Sequence, residues 1–392
     1  MDDGKNPVAD AHWEQDERGW RPTPRQELLL RASLLDGAEA VEAWGKWKVD
    51  VDMDRLDVPS FTLLPLLYEN MLGAGVADPL IDELKKYYTM TWYNNQIRLD
   101  MISGVLAELE RAGIQTIILK GAAMTIAYYN DHGARPMGDV DVLIRRDDVA
   151  LASAALAEAG YNPTTPITAA RLRYMHGGHF LGERGSALDL HWRLLWEIDT
   201  PEAAADCWKS SREVVVGRVS TRVLDPTHQF LHVCVHGARW NSAPLRWVAD
   251  AVTIVSDRES KLDFEQVSEK AAELRLHVPV CQALRYLREA WSVAVPERVL
   301  TKLEAMPTSR IECAYYGHLA RNRERTLLGN LPVNLFHFTR FTRDLGPVRR
   351  LLELLRFLAL MWGLDRVVDV PLSMLKKAGR RAWIAVRSLF AK

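Results

Sequence analysis

The sequence has few cysteines and no excess of charge of either sign. Its four cysteines form no CxxC pair and lie far apart, at Cys207, Cys234, Cys281 and Cys313. This spacing argues against both a disulfide framework and a cysteine zinc site. The 50 basic and 51 acidic residues give a net charge of −1, so no global field would draw the protein to nucleic acid or anionic lipid. Any polyanion site is therefore local.

Long apolar runs are also missing. The longest, residues 351–364, is interrupted by Glu353 and Arg356, and it is shorter than the roughly 18 to 20 residues that a membrane-spanning helix needs. The first twenty residues are acidic and polar, and they lack the basic stretch and apolar core of a secretory signal. We therefore expect a cytoplasmic protein with no membrane span.

The chain has 392 residues, of which 48% are hydrophobic and 26% charged, a size that suggests about two to three packed units. The first hundred residues show helical periodicity, and so does the chain from His228 to about Ala320. The predicted divisions are a flexible arm (1–24), an N-terminal helical region (25–112), an α/β core (113–226), a second helical region (227–330) and a basic helical tail (331–392).

Within the core the apolar period changes from helical to extended. Residues 114–119, 140–144 and 187–192 are typical of strands, with a shorter one at 222–224, and residues 122–129 and 149–159 are typical of helices. The predicted fold class is α+β, a small mixed sheet flanked by N- and C-terminal helical regions.

Three acids lie in these predicted strands or directly before one of them. Because side chains alternate along a strand, Asp139 and Asp141 project from one face, and Asp189 and His191 share a face of a later strand. If the strands are neighbours, three carboxylates converge. Such a set suits one or two Mg²⁺ ions that also coordinate a triphosphate. A solvated strand end for the first pair, and a structural hydrogen-bonding role for Asp189, are the alternatives.

A second feature is the junction between the first strand and its helix. Gly121 would let the backbone approach a phosphate closely, the helix N-terminus offers free N–H groups, and Lys120 adds a point charge. Arg135, four residues before Asp139, could add a bidentate donor. Lys120 is also compatible with a simple strand-end charge, and Arg135 with a pair to a carboxylate.

The order and spacing of these motifs resemble the nucleotidyltransferase superfamily related to DNA polymerase β. Within this superfamily, the motifs most specifically resemble the uncharacterised nucleotidyltransferase family, which has Lys-Gly in place of Gly-Ser. AbiEii-type toxins are more distantly similar. The matching motifs are Leu119-Lys120-Gly121, Tyr128, Arg135-x-x-x-Asp139-Val140-Asp141 and Leu188-Asp189-Leu190-His191-Trp192.

The resemblance implies Asp139 and Asp141 as metal ligands, Asp189 as third ligand and base, and Lys120 and Gly121 at the phosphates. It implies a Mg²⁺-dependent transferase, with two ions when a nucleotide such as ATP is bound. The acceptor would be a hydroxyl of a small molecule or peptide, as in natural-product biosynthesis. A tRNA acceptor has little electrostatic support. Ala122 stands where the superfamily has a phosphate-binding Ser, which keeps open a catalytically silent nucleotide- or peptide-binding scaffold.

The segment after the core carries histidines at every fourth position. His228, His232 and His236 would share one helix face and could bind zinc, although packing against the core is the simpler interpretation. Other candidate pocket residues, partly from the same resemblance, are His191, His236, Arg239 and Asp250, with a polar helix contact as the alternative.

The C-terminal tail is basic. From Arg340 to Lys392 it has 12 Lys and Arg against 4 Asp and Glu. A solvated helix face is the simplest interpretation, and contact with a membrane surface, a peptide or RNA is the alternative.

Overall fold

The computed structural model describes residues 21–49, 51–129, 131–183, 186–198, 201–239, 244–320, 331–364 and 366–375. Most of the predicted arm (1–24) and the last seventeen residues of the predicted tail lie outside these ranges. Within them, no helix is both long enough and apolar enough to cross a bilayer.

The N-terminal part is helical, as predicted. Its helices are α1 (Pro24–Leu34), α2 (Gly37–Lys48), α3 (Val58–Phe61), α4 (Leu64–Gly73) and α5 (Pro79–Arg111). Thr23 begins α1 with a capping box, in which its hydroxyl accepts from the Gln26 N–H and the Gln26 side chain accepts from the Thr23 N–H. Helix α5 has 33 residues, about 50 Å at 1.5 Å per residue. It ends before Gly113, whose φ of 73° suits glycine.

The middle of the chain forms a mixed sheet. Its strands are β1 (Ile117–Ile118), β2 (Val140–Leu143), β3 (Asn162–Pro163), β4 (Gly177–Leu181), β5 (Ala187–His191), β6 (Arg212–Val216) and β7 (Val219–Val223), in the order β3-β4-β5-β2-β1-β7-β6. Strands β2 and β5 are parallel, as are β1 and β7, and the other neighbours are antiparallel. The predicted α+β class with a small mixed sheet is confirmed.

The remaining helices connect and follow the strands. They are α6 (Lys120–Ala127), α7 (Val149–Glu158), α8 (Ala169–Tyr174), α9 (Pro201–Ser210), α10 (Pro226–Arg239), α11 (Pro244–Ser256), α12 (Phe264–Glu273), α13 (His277–Trp291), α14 (Glu297–Glu304), α15 (Arg310–Ala320), α16 (Leu331–Phe341) and α17 (Pro347–Met361).

Some elements differ from the sequence expectation. The predicted strand at 114–119 pairs only at Ile117–Ile118, and α6 begins at Lys120 instead of Ala122. Strands β3, β4 and β6 were not expected. Strand β4 begins with two glycines, which weaken a strand pattern in sequence. Backbone pairing with β5 along its whole length stabilises β4, although its two glycines have low strand propensity.

Two hydrophobic cores cover the two faces of the sheet. One joins α1–α4 to α10–α14 and includes Leu143, and the other includes Val142 and the inner face of α5. Because successive side chains point to opposite faces, Asp141 points to the same side as Leu143. The carboxylate is therefore directed towards the helices that follow the sheet, where a cavity lies.

Candidate active site

The register of two parallel strands brings two of the predicted acids together. Asp141 of β2 pairs with Asp189 of β5, and Leu143 pairs with His191 two residues further on. One ligand atom from each of Asp141, Asp189 and His191 lies within 4.8 Å of the others. In the described part of the chain, no other group of three or more His, Cys, Asp or Glu residues has this metal-binding spacing.

These acids are held in an environment that disfavours a bare negative charge. Asp141 is 1% exposed. The pKa of Asp141 is raised to about 7, mainly by burial and also by the charge of Asp139, although Lys120 and Arg135 act in the opposite direction. Burial also raises the pKa of Asp189, against the hydrogen bond from His179. A cation would relieve this repulsion.

Asp139 comes directly before β2 and is exposed. It is not one of the three residues whose ligand atoms cluster within 4.8 Å. Its charge nevertheless raises the pKa of both Asp141 and Asp189. Asp139 is therefore exposed itself but close enough to the cluster to act on it electrostatically.

Lys120 forms an ion pair with Asp141. Its ammonium group donates to Asp141 Oδ1, and His191 Nε2 lies 2.9 Å from the same oxygen. Lys120 is the first residue of α6 and has a φ of 48°, in the left-handed region that most residues avoid. The strand-to-helix junction therefore directs this lysine to the acidic cluster, and its predicted phosphate contact remains a prediction.

Arg135 is committed to a buried ion pair. Its Nε and Nη2 donate to the two carboxylate oxygens of Asp250 at 2.7 Å each, and the Tyr129 hydroxyl donates to Asp250 Oδ1 at 3.0 Å. Arg135 and Asp250 are 8% and 5% exposed. Of the two alternatives for Arg135, the structure shows the pair with a carboxylate. The pair joins the segment before β2 to α11.

Helix α5 holds the segment that presents Arg135 and Asp139. The Asn95 amide donates to the carbonyl oxygens of His132 and Arg135 and accepts from the Met137 N–H. Asn95 is 1% exposed. Sequence reasoning missed this residue, although a buried-face asparagine in an otherwise apolar helical pattern is a detectable signal.

A cavity of about 310 Å³ opens beside the acids, between α6, the segment before β2, and helices α10 and α11. Its polar lining residues are Lys120, Arg135, Asp139, His232, His236, Arg246 and Asp250, with Gly121 at the α6 end. The Gly121 backbone is in close contact with Arg135, since a Cβ there would lie 2.8 Å from Nη1.

The other predicted pocket residues are placed differently. His236 and Asp250 line the cavity, whereas His191 is 3% exposed and contacts Asp141. The Arg239 side chain lies outside the described residues. His232 and His236 stack with their ring centroids 5.6 Å apart, and the third histidine of the series, His228, bonds to Asp225. The structure thus supports packing and cavity roles for this helix over zinc binding.

Two further residues at the site were not identified from the sequence. His179 lies opposite Asp189 on the unexpected strand β4, and its Nδ1 is 2.7 Å from Asp189 Oδ1. Arg246 reaches the cavity from α11. Neither residue belongs to a local motif, so only the three-dimensional arrangement reveals them.

A family model described as an uncharacterised nucleotidyltransferase matches residues 61–292, more than half of the chain. No curated protein gives a significant match.

Three solved structures show limited similarity. The solution structure of the antibiotic-resistance factor ANT(2'')-Ia is 15% identical, with 49% of this chain and 98% of that chain covered at a TM-score of 0.35. The crystal structure of ANT(2'')-Ia in complex with adenylyl-2''-tobramycin is 16% identical, with 46% of this chain and 98% of that chain covered at a TM-score of 0.34. An antigenic nucleotidyltransferase-like protein from Paracoccidioides brasiliensis is 12% identical, with 52% of this chain and 95% of that chain covered at a TM-score of 0.33.

Proposed function

Because the chain belongs to the uncharacterised nucleotidyltransferase family, we propose that it transfers a nucleoside monophosphate from a nucleoside triphosphate to a hydroxyl group. The acceptor is a small molecule or a peptide, and pyrophosphate is released. The observation that carries the proposal is the cluster of Asp141, Asp189 and His191, whose ligand atoms lie within 4.8 Å.

The donor set fits a divalent cation. Two carboxylates and an imidazole converge, and burial raises the pKa of Asp141 although Lys120 is in contact with it, so a bound cation would stabilise the ionised carboxylate. Oxygen ligands are those that Mg²⁺ prefers. Asp141 and Asp189 would hold the metal, and the exposed Asp139 would be available to a second ion. Bound Mg²⁺ would neutralise charge on the phosphates during the displacement.

The chain's own residues would orient the reactants. Lys120 and Gly121 line the cavity at the N-terminus of α6, and the free N–H groups of a helix N-terminus would suit phosphate oxygens. Asp189 would accept the proton of the acceptor hydroxyl, whose oxygen forms a bond to the α-phosphorus as the bond to the leaving pyrophosphate breaks. His179 would hold the Asp189 carboxylate in place through its 2.7 Å contact.

The experiment uses purified full-length protein, Mg²⁺ and each of the four ribonucleoside triphosphates labelled at the α-phosphate. Fractionated small molecules, peptides and RNA serve as acceptors. We expect label to move to a small-molecule or peptide fraction, and Asp141→Asn and Asp189→Asn to lose at least about a hundredfold in rate. Asp147→Asn, which changes an exposed acid next to α7, is the matched control and should keep full activity.

Two results would contradict the proposal. Transfer that survives in Asp141→Asn would remove the acidic cluster from the reaction. Tight nucleotide binding with no product from any fraction would instead favour the catalytically silent scaffold, for which Ala122 in place of the superfamily's Ser is the supporting observation.

A further inference from the structure

The cavity contains charged residues of two kinds. Lys120 is paired with Asp141, and Arg135 is paired with Asp250, so each of these cations already has a carboxylate partner within the protein. Arg246 differs from them. Among the residues that the structure describes, it makes no ion pair and no hydrogen bond, although it lines the cavity and is only partly exposed.

The electrostatic surroundings of Arg246 agree with this view. Burial lowers its pKa, and the positive charge of Arg135 lowers it further, while Asp250 and Asp139 partly compensate. A partly buried guanidinium that lacks a partner is costly, and an arginine fork is suited to phosphate or carboxylate oxygens. The local charge therefore favours an anionic group next to Arg246.

Asp139 is the other charged lining residue without an ion pair among the described residues. A cavity that presents one unpaired acid and one unpaired arginine matches a ligand that itself carries a cation and an anion. A metal–triphosphate complex has this property, because its metal can face Asp139 while its phosphates face Arg246. A cationic acceptor would be repelled by Arg246.

Helix packing fixes where Arg246 stands. Gly237 of α10 meets Trp247 of α11 so closely that a Cβ on Gly237 would lie 2.3 Å from Trp247 Cβ and Cγ. One turn later on α11, Asp250 is held by Arg135. Helix α11 is therefore held in place at Trp247, next to Arg246, and at Asp250, one turn later. These contacts limit the positions that the Arg246 guanidinium can reach.

We propose that Arg246 binds a terminal phosphate of the nucleoside triphosphate in the cavity that Asp139 also lines. This inference rests on the proposed function and assigns to Arg246 the phosphate contact expected for Arg135. Arg135 is instead a positioning residue, which ties α11 to the segment that carries Asp139.

The test measures binding by calorimetry in the presence of Mg²⁺, with ATP, AMP and inorganic tripolyphosphate as the probes. Tripolyphosphate has no base, so its binding does not depend on which nucleotide is the natural donor. We expect Arg246→Gln to weaken tripolyphosphate and ATP about 10- to 100-fold, the effect of one charge-assisted hydrogen-bonding partner. AMP, which lacks the terminal phosphates, should bind wild type and variant equally.

Two further variants serve as controls. Arg246→Lys keeps the charge and should recover part of the affinity. Arg258→Gln removes one exposed positive charge just after the same helix and should bind tripolyphosphate as wild type does. Unchanged AMP binding together with an unchanged circular dichroism spectrum shows that Arg246→Gln is folded.

The outcomes separate this inference from the function on which it rests. If wild type binds tripolyphosphate and Arg246→Gln binds it equally well, the inference is wrong and the proposed function stands. The same conclusion follows if the variant raises only the KM of the acceptor. If wild type binds neither tripolyphosphate nor any nucleoside triphosphate, both fail.

Discussion

Replacing Asp250 by asparagine tests whether the Arg135–Asp250 pair is a structural link between the sheet and α11. Both side chains are buried, and they share two hydrogen bonds of 2.7 Å. Removing one partner of a buried pair costs about 3 to 5 kcal/mol, because the other charge is left uncompensated. Asparagine keeps one oxygen to accept from Arg135 or Tyr129, so we expect the lower end, about 3 kcal/mol.

The free energy of unfolding is measured by urea denaturation, with the slope of the transition checked between variants. Glu297→Gln is the control, since it breaks an ion pair with Arg288 in which the two side chains are 37% and 73% exposed. Exposed pairs contribute at most about 1 kcal/mol. In a double-mutant cycle, Arg135→Met with Asp250→Leu should cost about 1 to 3 kcal/mol less than the sum of the single changes. An Asp250→Asn cost no larger than that of the control would refute the reasoning.

Two more predictions follow from packing and from the acidic cluster. Gly237→Ala should destabilise the protein by about 1 to 3 kcal/mol in the same unfolding assay, because the new methyl group overlaps Trp247. Gly104→Ala, at an exposed position of α5 with nothing within 4 Å of the new Cβ among the described residues, should instead stabilise by about 0.5 to 1 kcal/mol; equal effects at both sites would contradict the packing argument. Asp189→Asn should weaken Mn²⁺ binding, followed by calorimetry, at least about tenfold because it removes one of three clustered ligands. The exposed Asp147→Asn should leave that affinity unchanged, and the same loss in both variants would mean that Mn²⁺ binds elsewhere.

The central part of the sheet could be predicted because local patterns determine it. Alternation of apolar and polar residues predicts β2 and β5, and the same alternation places Asp141 and Asp189 on corresponding faces. The structure adds that the strands are neighbours and in register. Strand β4, with its two leading glycines, carries no comparable pattern and is defined by its partner strand.

Partners between charged residues were beyond the reach of the sequence. Arg135 and Asp250 are 115 positions apart, and no local sequence pattern predicts that they form an ion pair. Which arginine remains for a ligand depends on that pairing. A sequence motif can therefore identify a basic residue near a phosphate site, whereas the choice between Arg135 and Arg246 requires knowledge of all the acids around both.

The direct pairing of Asp141 with Asp189 has a consequence for the chain between them. About forty residues, including α7, β3, α8 and β4, connect strands β2 and β5, yet the separation of the two carboxylates is set by the backbone hydrogen bonds of the strands themselves. We therefore expect the exposed turn at residues 164–166, between β3 and α8, to accept an inserted peptide tag while the two acids stay opposite each other. This connection is accordingly a suitable place to label the protein for imaging or for capture of its substrates.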